Sequence, residues 1–111
     1  MDSKLEIESD GSKVWKNYQN DFHREDGPAV EYKSGIKYWF IRGKLHRENA
    51  PAIERGDGYE AWYINGVPHR ENGPAITYSD GRKIWYLNGI KYSEKEFYKK
   101  MRTKRIESLR S

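Results

Sequence analysis

The sequence predicts an all-β fold: an antiparallel meander of stacked β-hairpin repeats with a C-terminal capping α-helix. Three observations predict it. Trp15, Trp39, Trp62 and Trp85 recur at intervals of 24, 23 and 23 residues, and His23, His46 and His69 recur at 23. Turn residues punctuate every unit at two places. Residues 93–111 open on a helix-capping pattern and run on without Gly or Pro. A period of this length means an array in which each unit buries its apolar side chains against its neighbours.

Each unit reads as a hairpin. Asn65-Gly66 and Asn88-Gly89 stand between apolar runs, and this pair tolerates the two positive φ angles of a tight turn. Ser9-Asp10-Gly11, Ser34-Gly35, Asp57-Gly58 and Ser79-Asp80-Gly81 supply turns between units. Pro28, Pro51 and Pro74 cannot donate to a ladder, so each marks a bend or bulge after its His-Arg-Glu segment. The first unit carries one extra residue between Trp15 and His23, which predicts a bulge or longer turn. The fourth unit stops with Tyr92 where His stood before. Alternation then assigns faces. Trp39 and Ile41, Trp62 and Ile64, and Trp85 and Leu87 share one; Tyr38 and Phe40, Ala61 and Tyr63, and Ile84 and Tyr86 share the other.

The C-terminal segment differs. Ser93-Glu94-Lys95-Glu96 is a capping box, and Phe97, Tyr98, Met101, Ile106 and Leu109 spread over about half of a helical circumference. Two regions result: a repeat domain over 1–92 and a basic, amphipathic helix over 93–111, packed on the end of the repeats.

Composition narrows the function. Charged residues make up 34%, hydrophobic residues 35%, and mean hydropathy is −1.13. No apolar run approaches the roughly 18 residues of a spanning helix, so no membrane is expected. Aromatics at 14% argue for a packed chain over a disordered one. The absence of Cys removes thiolate chemistry and disulfides. The polar opening Met1-Asp2-Ser3-Lys4 predicts a cytoplasmic protein with no export signal. The net charge of +4 arises in the tail: residues 1–92 hold 14 Lys/Arg and 14 Asp/Glu, and residues 93–111 hold seven Lys/Arg and three Glu.

No enzyme is expected. Nucleophile elbows, phosphate loops and dinucleotide fingerprints are missing, and a single-layer sheet lacks a deep pocket. Three equally spaced His invite a metal, but equivalent residues two strands apart are roughly 9–10 Å from each other. Zinc needs nitrogens at about 2.0–2.1 Å, so neither metal nor cofactor is expected, and packing under Trp or Pro is the expected role of His. The repeated His-Arg-Glu reads as scaffold pairing between strands, or as an Arg ladder able to bind carboxylates or phosphates.

The period together with G-x-x-x-W-Y-x-N-G-x-x-H, as in Gly81 to Gly89, is similar to MORN (membrane occupation and recognition nexus) repeats. The His-Arg-Glu-x-Gly-Pro-Ala continuation resembles a MORN-like variant of phage and giant-virus proteins. The resemblance covers roughly residues 4–92. It implies an interaction scaffold, here a small phage protein that binds and modulates a host protein such as a defence enzyme, in the host cytoplasm. Lipid binding is not carried over, because His-Arg-Glu and Pro-Ala replace the family's Gly-rich second half.

The expected function is therefore a non-enzymatic protein-interaction module. Its expected contact residues are Tyr38, Phe40, Tyr63 and Tyr86 with the ladder Arg24, Arg47 and Arg70. One alternative is a nucleotide-like small ligand held between that aromatic face and the Arg ladder. A second is nucleic acid bound through Lys99, Arg102, Lys104 and Arg105 of the tail.

Overall fold

The computed structural model describes residues 3–109. Met1 and Asp2 of the polar opening, Arg110 of the basic tail, and Ser111 lie outside the described residues. The chain is an antiparallel meander followed by one helix. Its main sheet has nine strands. They are β1 (Lys4–Ile7), β2 (Lys13–Lys16), β3 (Val30–Glu31), β4 (Lys37–Tyr38), β7 (Ile53–Glu54), β8 (Glu60–Ala61), β11 (Ile76–Thr77), β12 (Lys83–Leu87) and β13 (Ile90–Tyr92), each antiparallel to the next. Two short hairpins, β5 (Phe40–Ile41) with β6 (Lys44–Leu45) and β9 (Tyr63–Ile64) with β10 (Val67–Pro68), leave this sheet after Trp39 and Trp62. They stand side by side, since Arg47 N donates to Tyr63 O at 3.1 Å and Gly66 N to Leu45 O at 2.8 Å. The molecule measures 51 × 36 × 18 Å, the shape of a single layer.

The turns take the conformations that their residues permit. Asn65 and Asn88 have φ of 49° and 51°, and the glycines after them 83° and 81°. Arg42-Gly43 makes the same turn at 48° and 79°, held by a residue type that seldom adopts it. The extra residue of the first unit makes a longer loop in which Asn17 Oδ1 accepts from Gln19 N and Asp21 N.

Register separates the two faces. Val14, Val30, Tyr38, Ile53, Ala61, Ile76 and Ile84 oppose one another across successive strands and form an apolar row. Tyr59, Tyr63, Tyr78 and Tyr86 pack over its centre, Ala61, Ala75 and Ile76. The opposite row reads Lys13, Glu31, Lys37, Glu54, Glu60, Thr77, Lys83. Ala29, Ala52 and Ala75, the partners of the three prolines, are fully buried. Each accepts a backbone hydrogen bond from the Trp of its own unit and donates one to the next unit.

Helix α1 (Glu94–Leu109) starts at the expected box: Glu96 N donates to Ser93 Oγ and Ser93 N to Glu96 Oε1. It packs on β12 and β13 and buries Phe97 completely. The apolar stripe is not seated as a whole, which corrects the amphipathic reading. Tyr98, Ile106 and Leu109 are exposed, because a helix of 16 residues is about 24 Å long, more than this thin sheet covers. Among the described residues, no helix is long and apolar enough to cross a membrane.

Candidate functional site: the Trp–Arg–His face

His23, Arg24 and their equivalents lie in the irregular connection between hairpins, where Pro prevents a strand. There the chain doubles back and lays each guanidinium on the indole of its own unit. Arg24 Cζ sits 3.8 Å from the Trp15 ring centroid, Arg47 Cζ 3.7 Å from Trp39, and Arg70 Cζ 3.9 Å from Trp62. Such stacking contributes about 0.5–2 kcal/mol, more where water is excluded. Each Arg then closes the connection by donating Nη1 to the carbonyl of Pro28, Pro51 or Pro74 at 3.1–3.2 Å. Glycine makes room for this. A Cβ on Gly27 would stand 2.8 Å from Arg24 Cζ, and one on Gly73 3.1 Å from Arg70 Cζ. In the second unit Ala50 replaces that glycine, and Asn49 takes φ 65° instead.

Beyond the packing expected of them, the histidines bridge units by hydrogen bonds. His23 Nδ1 accepts from Arg42 N, His46 Nδ1 from Asn65 N and His69 Nδ1 from Asn88 N, at 2.9–3.0 Å. The donor is a backbone N–H, so the imidazole proton must sit on Nε2. That nitrogen faces a carboxylate: Glu25 at 3.4 Å, Glu48 at 2.7 Å and Glu71 at 3.3 Å. Each His thus clips the turn of the following hairpin. Tyr92 stands in the fourth unit, where no hairpin follows. With both ring nitrogens engaged, the histidines are poor metal ligands. Among the described residues, no three His, Cys, Asp or Glu side chains are grouped to hold an ion.

The Arg residues differ in their charge partners. Arg24 meets two carboxylates, Asp26 at 3.1 Å and Glu31 at 3.3 Å. Arg47 meets one, Glu54 at 3.1 Å. Arg70 meets none among the described residues; Thr77 stands at the position of Glu31 and Glu54, and Arg70 Nε donates to the neutral Asn72 at 2.9 Å. Arg47, Trp62, Ile64, His69, Arg70 and Met101 line an open groove of about 630 Å³ here, between the second and third units and α1. The indole N–H of Trp62 is buried without an acceptor. Lys104 of α1 reaches Glu71 at 2.8 Å and, chiefly through that hydrogen bond, holds the Glu71 carboxyl below its ordinary range.

The expected contact set is divided by this arrangement. Arg24, Arg47 and Arg70 lie on the Trp face; Tyr38, Phe40, Tyr63 and Tyr86 lie on the other and are half-buried there. Tyr38 and Phe40 meet edge to face at 6.2 Å, and burial followed by the neighbouring Tyr86 and Tyr78 raises the Tyr63 hydroxyl above its ordinary value. In the tail set, Lys104 is paired with Glu71, and Lys99, Arg102 and Arg105 are exposed on α1. Comparison with protein-family models, curated proteins and solved structures finds no match. Reading the sequence missed Trp62, Asn72 and Thr77 as parts of a site. Thr77, three residues after its proline, is where the units depart from Glu.

Proposed function

We propose that the chain is a non-enzymatic protein-interaction module of MORN-like repeats, and that it docks its partner on the Trp–Arg face. The observation that carries this reading is the shape: a layer 18 Å thick with broad faces and open grooves suits surface complementarity better than enclosure of a substrate. On the Trp face, Arg and Trp side chains lie held in place and half-buried, and these residue types dominate binding energy in protein interfaces. Tyr63 and Tyr86 of the other face pack against the buried cluster Ala61, Ala75 and Ile76, as Trp62 does. Following the resemblance, the partner is a host protein such as a defence enzyme.

Affinity capture from host lysate, followed by hydrogen exchange of the purified complex, tests the reading. The expected result is one stoichiometric protein that slows exchange in residues 62–74. Recovery of only nucleic acid or a small molecule, or a protein that protects nothing but α1, would overturn it.

A further inference from the structure

We infer that Arg70 is a receptor for a carboxylate side chain of the protein partner, an Asp or Glu that completes the site internal to the first two units. The inference rests on the interaction-module reading and adds the chemistry of the contact. The repeat itself shows what the guanidinium of this motif binds. Arg24 and Arg47 are built on the same Trp platform, with the same Pro carbonyl on Nη1, and each takes a Glu from the strand after the proline at 3.1–3.3 Å. Arg70 has the platform and the carbonyl at 3.2 Å, but the position that supplies Glu31 and Glu54 in the first two units is Thr77 here.

The surroundings favour an incoming anion. Thr77 lies between Glu60 and Lys83 in the strand register, just as Glu54 lies between Lys37 and Glu60. A carboxylate arriving over Thr77 therefore meets the charge pattern that Glu54 already satisfies. Of the two acids lining the groove, Glu71 is paired with Lys104 and His69, and Glu48 accepts a hydrogen bond from His46. An Arg held flat on an indole loses little rotamer freedom on binding, and a charge-assisted contact to carboxylate is among the stronger hydrogen bonds. A protein partner is favoured over a free anion because the groove is open and continues along the Trp face to the next one, lined by Arg24, Trp39, Ile41 and His46.

The full chain can be titrated with N-acetyl-glutamate methylamide while the Arg Nε–H and Trp indole N–H resonances are followed by NMR. The expected result is a saturable shift at Arg70 and Trp62 in the millimolar range. Arg24 and Arg47 should respond about tenfold more weakly, and N-acetyl-glutamine methylamide should leave all three unmoved. Thr77→Glu should abolish the Arg70 response and raise Tm, whereas the neutral Thr77→Gln should keep the response. Equal shifts at the three Arg, a response that survives Thr77→Glu, or tighter binding of inorganic phosphate than of the glutamate probe would overturn the inference. In capture experiments, Thr77→Glu should lose the protein partner. Retained capture would discard this site and leave the module reading standing. Failure of the wild-type chain to capture any protein, with the Arg70 shift present, would discard the module reading and the protein source of the carboxylate together.

Discussion

Arg24 and Arg70 have the same position in their units, lie on the same type of ring and donate to the same type of carbonyl, yet their electrostatic surroundings are opposite. Arg24 is neutralised by Asp26 and Glu31; among the described residues Arg70 has, besides its indole, Asn72 and a carbonyl. In a repeat protein, the scaffold demands Trp, Arg, Pro and the small residue before Pro, because these form the connection. It leaves the residues two after Arg and three after Pro open to change. Charge can therefore be removed from one unit without disturbing the fold, and that is where a binding site can be added.

The comparison can be broken first at the platform. Trp39→Ala should cost about 3 kcal/mol, the lower end for a large aromatic because Trp39 is half-buried, and Trp62→Ala a similar amount. A chemical melt in which either variant stays within about 0.5 kcal/mol of wild type, the range of a neutral surface substitution, would show that the stacks do not hold the connections. It sharpens at the arginines. Arg24→Gln should cost about 1–2 kcal/mol, since it removes two ion pairs, and Arg70→Gln less than about 1, because these pairs are partly exposed. Equal losses would contradict the assigned partners. The bridge between units comes next: His46→Ala strands the Asn65 N–H, which water can reach, so about 1 kcal/mol should be lost, with faster exchange of the Asn65 amide.

The smallest effect separates the third unit from the others by pH. Glu71 titrates below its ordinary 4.5, through its hydrogen bond and charge contact with Lys104 and then His69. A carboxyl depressed in the folded state stabilises above its unfolded value, and that contribution disappears as pH falls through the lowered one. Amide exchange in the middle of α1 should therefore speed up as pH drops from about 5 to 3 after correction for intrinsic rates. Lys104→Met should remove that component.

Much of the fold was legible because short-range rules governed it. Asn-Gly turns, glycines at the unit boundaries and the Ser93–Glu96 box each depend on residues within four positions, and each formed as expected. The faces of Trp39 with Ile41 and Trp62 with Ile64 followed from alternation, and these pairs line the same grooves. Alternation holds only inside strands, however, and the Arg ladder lies in the proline-bearing connections. Nothing in the period says on which side such a connection folds, so the tyrosines and arginines looked like one surface. The role of His escaped for a related reason: its acceptor function depends on a turn 19 residues further on. The stripe of α1 was over-read because a helical period says which residues could be buried, and the thin sheet decides how many are.

The measurement that bears most directly on this account is an exchange of two residues. The double variant Glu54→Thr with Thr77→Glu keeps composition and charge and moves the missing carboxylate from the third unit to the second. Titrated with N-acetyl-glutamate methylamide, it should shift the Arg47 Nε–H and leave Arg70 still, the reverse of the wild-type chain, with Tm nearly unchanged. A response that stays at Arg70 after the exchange would contradict the claim that the residue three positions after proline decides which guanidinium is open.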